Sequence, residues 1–150
     1  MARPLIRSLL VVVDGTESAI AAAEYAIQLA KAFKADLTAV AIVDTNTLKY
    51  LLSANIMVAA EMEEYERELS DSAHSNLAYL QTLATEAGVR ARTVLLKGST
   101  HAALLAEQKA CGADLIVIGA FRWTLCHRDQ LARERQLLLD EAPCPVLVVR

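Results

Sequence analysis

The sequence predicts an α/β fold, a doubly wound five-stranded parallel sheet with helices on both faces, Rossmann-like in its logic. Five apolar runs of strand length alternate with four stretches of helical periodicity, the pattern of consecutive βαβ units with right-handed crossovers. The runs are apolar without alternation, as in strands covered on both faces. Turn and helix-stop residues (Asp14-Gly15, Gly88, Gly112) punctuate the junctions.

The first run, IRSLLVVV at residues 6–13, stops at Asp14-Gly15. The helical pattern TESAIAAAEYAIQLAKAFK follows, with Ile20, Ala23, Ile27, Ala30 and Phe33 on one stripe and Glu17, Glu24, Gln28 and Lys31 opposite. Thr16 is its expected N-cap, and Glu17 lies at the positive end of the helix dipole. The second run, LTAVAIV at 37–43, closes at Asp44 and passes through a short polar connection. A long helix is expected over residues 56–87, with Val58, Met62, Tyr65, Leu69, Ala73, Leu77, Leu80, Ala84 and Ala87 inward. Its first half carries Glu61, Glu63, Glu64, Glu66, Glu68 and Asp71, which read as a solvated face. RTVLL (92–96) is a third strand, Gly98-Ser99 opens a helix to Cys111, and DLIVIG (114–119) is a fourth strand. A last helix lies within 129–141, and Pro143 and Pro145 break the chain before a final strand, Val146, Leu147, Val148 and Val149.

With 150 residues and no composition shift, the chain is expected to form a single domain, residues 1–150. Apolar residues are 55% and charged residues 22% of it, a globular balance rather than a disordered one. The net charge of −3 offers no general field for nucleic acid, and no apolar stretch approaches the roughly 18 residues of a membrane span. A cytoplasmic protein is expected. Cys111, Cys126 and Cys144 contain no CxxC pair and are odd in number, so free thiols are expected, and Cys126-His127 lacks a second pair for a zinc site. His74 reads as a surface residue and His101 as a solvated or capping one. No G-x-S-x-G, Walker A or HExxH string nominates a catalytic group.

LLVVVDGTESAIAAAEYAIQLAKAFKADLTAVAIVD, GADLIVIG and EAPCPVLVVR, in this order and spacing, resemble the universal stress protein family over nearly the whole chain. The resemblance implies strand order 3-2-1-4-5, so the winding reverses between the strands ended by Asp14 and Gly119. Ligands of open α/β sheets bind outside the carboxyl ends of strands at such a point. Family members that bind ATP carry Gly-x2-Gly-x9-Gly-Ser/Thr there, whose glycines let backbone N–H groups approach the phosphates. Gly119 matches the first position; Arg122, Ala132 and Arg133 stand at the others. At the nucleoside end Asp14 matches the carboxylate that meets the base or ribose region, Gly15 follows it, and Ile42 replaces a small apolar contact.

Two readings of this loop stand side by side. Either ATP binding is lost and Arg122 and Trp123 fill the crevice, or Arg122, His127, Arg128 and Arg133 supply charged donors for an anion in place of the glycine nest. The leading expectation is a universal stress protein of the branch lacking the glycine-rich motif. It acts in stress response through regulatory contacts with an unidentified protein, with no cofactor, metal or reaction of its own. A nucleotide sensor using Asp14, Gly15, Ile42, Gly119, Arg122, Arg128 and Arg133, with ATP or another adenine nucleotide as ligand, is the alternative, and an enzyme acting on an adenylate or phosphate ester is third. An apolar last strand at a sheet edge is closed by pairing with its own copy, so a homodimer through Val146, Leu147, Val148 and Val149 is expected, in agreement with the resemblance.

Overall fold

The computed structural model describes residues 5–120 and 128–150 of the chain; the side chains of Thr47 and of residues 128–132 are outside that description. The elements run β1 (Ser8–Val12), α1 (Glu17–Phe33), β2 (Asp36–Asp44), α2 (Thr45–Ser53), α3 (Ala59–Glu86), β3 (Ala91–Gly98), α4 (Thr100–Cys111), β4 (Leu115–Gly119), α5 (Arg128–Glu141) and β5 (Val146–Val149). The strands form one sheet in the order β3-β2-β1-β4-β5, every pair parallel, as expected. The winding reverses between β1 and β4, and the two halves of the chain cover opposite faces.

β1 shows why its run lacks alternation. Leu9 and Val11 enter a layer with Ala22, Ala26 and Leu80 of α1 and α3, while Leu10 enters the other with Leu104 of α4 and Leu138 of α5. Leu9, Leu10 and Val11 are fully buried, each contributing about 2 kcal/mol of transfer free energy. The start of the strand is pinned by the residue that leads into its neighbour β4. The backbone N–H groups of Arg7 and Ser8 donate to Asp114 Oδ2 at 2.9 and 3.1 Å, and Asp114 N–H returns a bond to Ser8 O at 2.8 Å.

α1 begins at the expected cap, with Thr16 Oγ1 accepting from Ala19 N–H at 3.2 Å. It ends at Lys34 in the left-handed region (φ 54°), whose N–H returns to Ala30 O. Its buried face is Ser18, Ala19, Ala22, Ala23, Ala26, Ile27 and Ala30, rotated from the expected stripe, and Phe33 is 46% exposed. Small residues let the helix lie close to the sheet, which a stripe drawn through the larger side chains does not anticipate.

The expected short connection after β2 is instead α2. Asp44 Oδ1 accepts from Asn46 N–H at 3.1 Å, and Leu48 is buried under the helix. Asn55 (φ 58°) reverses the chain, with Ile56 N–H bonded to Leu51 O. In α3 the buried residues are Ala73, Leu77, Leu80 and Ala84, and Met62, Leu69 and Ala87 pack partly buried against the same core; of the expected stripe only Val58 (60% exposed) and Tyr65 (39%) are not core residues. β3 is longer than RTVLL by one residue before it and two after, because its ladder with β2 runs from Leu37↔Ala91 to Asp44↔Gly98. β5 lies at the sheet edge with all four residues half-buried.

Candidate functional site

Beyond the carboxyl ends of β1 and β2 the two layers part around a cleft of about 340 Å³. Val13 and Asp14 follow β1 into it, and Ala41, Ile42, Val43 and Asp44 end β2. Leu48 of α2 and Tyr65, Leu69, Ser72, Ala73 and Asn76 of α3 form one wall; Thr100 of α4 and Glu134 of α5 form the other. The cleft thus lies at the strand ends, where an open parallel sheet leaves room between helices of opposite faces.

Asp14 is held by the turn that follows it. Thr16 N–H and Thr16 Oγ1–H both donate to its Oδ1, at 3.0 and 2.7 Å. The same hydroxyl oxygen caps α1, so one threonine ties strand, turn and helix together. Gly15 sits at φ 80°, and a Cβ built on it would lie 3.1 Å from the Asn76 side chain. The turn and the α3 wall therefore meet here, with the Asn76 amide on the cleft surface.

The far wall is fixed by Glu134. Its Oε2 accepts from the backbone N–H of His101 at 2.9 Å and lies 2.5 Å from His101 Nδ1. His101 is in the first turn of α4, where Ser99 caps Ala102 N–H at 3.4 Å. A carboxylate from α5 thus occupies the N-terminus of α4, where unpaired N–H groups and the helix dipole favour negative charge. Asp14, Asp44 and Glu134 give the cleft three carboxylates, and no cationic side chain lines it among the described residues.

Asp14 and Ile42, expected in the site, line the cleft; Gly15, Gly119 and Arg133 are not among its lining residues. Arg122, Trp123, Cys126 and His127 lie outside the described residues, as does the side chain of Arg128. Gly119 has a separate reason to be glycine. Its backbone is not in the left-handed region, but an added Cβ would stand 2.6 Å from Ser18 C and 2.7 Å from Ala19 N. β4 touches the start of α1 here, and Ser18 Oγ–H donates to Ala120 O at 2.7 Å. Asp44, Ser72, Asn76, Thr100 and Glu134 also line the cleft and are not among the residues the sequence nominates; the spacing of Ser72 and Asn76 at i, i+4 on the edge of the α3 stripe is the one signal for them.

Among the described residues no three His, Cys, Asp or Glu side chains converge as a metal group, and no described helix is long and apolar enough to cross a membrane. Cys111 and Cys144 are free and half-buried. Burial pushes the Cys144 thiol above its ordinary ionisation range, with the negative fields of Asp114 and Cys111 adding and a hydrogen bond from the Ile116 backbone opposing.

Residues 6–150 match the protein family described as the universal stress protein family. The chain belongs to that family. A universal stress protein of Methanocaldococcus jannaschii is 29% identical over 97% of this chain and 83% of its own length. Among solved structures, a universal stress protein family member from Burkholderia pseudomallei superposes with a TM-score of 0.74 at 25% identity, covering 99% of this chain and 98% of its own. A universal stress protein solved in complex with cAMP shares the fold at TM-score 0.71 and 20% identity, over 97% of this chain and 98% of its own.

Proposed function

We propose that this universal stress protein is a regulatory homodimer whose cleft keeps the nucleoside-facing half of the family site and does not hold ATP tightly. It acts in stress response through contacts with a protein partner and performs no reaction of its own. The observation that carries this is Gly119. Of the four glycine-motif positions it alone is retained, and its contact with Ser18 and Ala19 accounts for the glycine by packing, with no phosphate required. Arg133, at the position of the motif's Ser/Thr, is exposed. What remains is an apolar cleft with Asp14 and Ile42 on its surface, sized for a base and sugar. Equilibrium dialysis against ATP, with and without Mg²⁺, tests the reading: no saturation below about millimolar ATP is expected, on the scale where Kd of 1 mM is ~4 kcal/mol. Saturable micromolar binding overturns it.

A second reading is a sensor of an adenine nucleotide, with arginines in place of the glycine nest. The cAMP complex of a protein of this fold favours it. Micromolar nucleotide binding that weakens in Arg122→Ala and Arg133→Ala supports this reading, and indifference to both changes defeats it.

A further inference from the structure

Among the described residues, the cleft combines an apolar floor with an anionic rim. Ala41, Val43 and Leu69 offer a surface for a flat ring system, while Asp14, Asp44 and Glu134 approach from three different elements. Two of these carboxylates are fixed in place. Asp14 is held by both donors of Thr16, and Glu134 by the His101 backbone N–H and imidazole. Withdrawing Glu134 would leave those donors without their acceptor in a half-buried place, so the carboxylate stays in the cleft and its charge opposes an incoming anion. Charges meeting in a cleft with apolar walls also interact more strongly than in bulk water.

We propose that the cleft selects its ligand by charge. Its ligand class is a flat heteroaromatic molecule with a neutral or cationic tail, such as a nucleoside or an aromatic amine. Glu134 is the specificity-determining residue that turns a phosphate away. For nucleosides, this rests on the reading of the cleft as a nucleoside site.

The test is a charge series at pH 8 and low salt: 5′-amino-5′-deoxyadenosine, adenosine and AMP, followed by calorimetry. The expected order of affinity is cation, neutral, anion, with about tenfold between neighbours, a gap that narrows at ~0.5 M salt as screening shortens the field. In Glu134→Gln the amide oxygen still accepts from His101 N–H, and the adenosine-to-AMP gap is expected to shrink about tenfold. Glu68→Gln, an exposed change outside the cleft, leaves the order as it was. AMP binding tighter than adenosine overturns the inference, as does a Glu134→Gln protein, folded by circular dichroism, whose order is unaltered. If no adenosine compound binds, the nucleoside reading fails, and tryptamine, tryptophol and indole-3-propionate test the charge rule separately. Cation-first order there upholds it; anion-first order, or no binding by any of the six, refutes it.

Discussion

Gly119→Ala puts the packing account of the retained glycine at risk. The new Cβ would meet backbone, not a yielding side-chain tip, at 2.6 Å. Ordinary contact begins near 3.4 Å, so β4 and the first turn of α1 must part by about 0.8 Å. Overpacking of this kind costs about 1–3 kcal/mol. The parting also stretches the 2.7 Å bond from Ser18 Oγ to Ala120 O, whose loss adds about 1 kcal/mol. Against this, replacing glycine at an ordinary φ narrows the unfolded ensemble and returns roughly 0.4–1 kcal/mol. The net expectation is a loss of about 2–3 kcal/mol. With a urea slope of about 2 kcal/mol/M, the midpoint followed by circular dichroism falls by about 1–1.5 M. Gly112→Ala is the control: φ is 66° and nothing lies within 4 Å of the added Cβ, so only the left-handed backbone penalty of about 1–2 kcal/mol applies. A Gly119→Ala protein within about 0.5 kcal/mol of the parent refutes the packing account. If that variant kept its stability and lost nucleotide binding, the glycine would belong to the ligand.

Thr16→Ala removes the α1 cap and the hydroxyl bond to Asp14, leaving the backbone N–H bond in place, and a stability loss of about 1–2 kcal/mol is expected in the same urea assay. Ile116 N–H bonds to Pro145 O and Ala120 N–H to Val149 O, so Val146 and Val148 direct their backbone groups away from β4. Val148→Pro should therefore spare the β4 ladder yet block edge pairing, giving a folded monomer by sedimentation where the parent is a dimer; a monomeric parent at micromolar concentration defeats the proposed interface. Because Cys144 ionises at higher pH folded than unfolded, the stability it contributes is complete below the unfolded value near 9.0 and is lost as pH rises through the folded one. The stability difference between the parent and Cys144→Ala should thus shrink from pH 8 to pH 10, and a pH-independent difference contradicts the shift.

The architecture was legible because its signals are local and repeated. Thr16-Glu17 before an alanine-rich pattern and Ser99 before α4 mark helix starts that the structure confirms. α2 has little signal in the sequence because, among its described side chains, Leu48 alone is buried, and its start depends on Asp44 reaching Asn46. Phe33 lies off the buried face because α1 packs mainly through alanines, whereas hydrophobic patterning favours large side chains. At the site, Asp14 and Ile42 were accessible from strand ends and the family resemblance. Glu134 was not, since its meaning comes from His101, 33 positions earlier, at the head of another helix.

The pinning of β1 by Asp114 bears on how the chain is made. Ser8 and its acceptor are 106 positions apart, and β4 is the neighbour that completes the central strand. On a ribosome adding about 5–20 residues per second, β1 can pair only with β2 for several seconds before residues 114–119 emerge. During that interval one flank of Leu9, Leu10 and Val11, the fully buried middle of the central strand, is an open apolar edge. The nascent chain is most vulnerable to aggregation at its future centre, and the emergence of β4 ends that exposure.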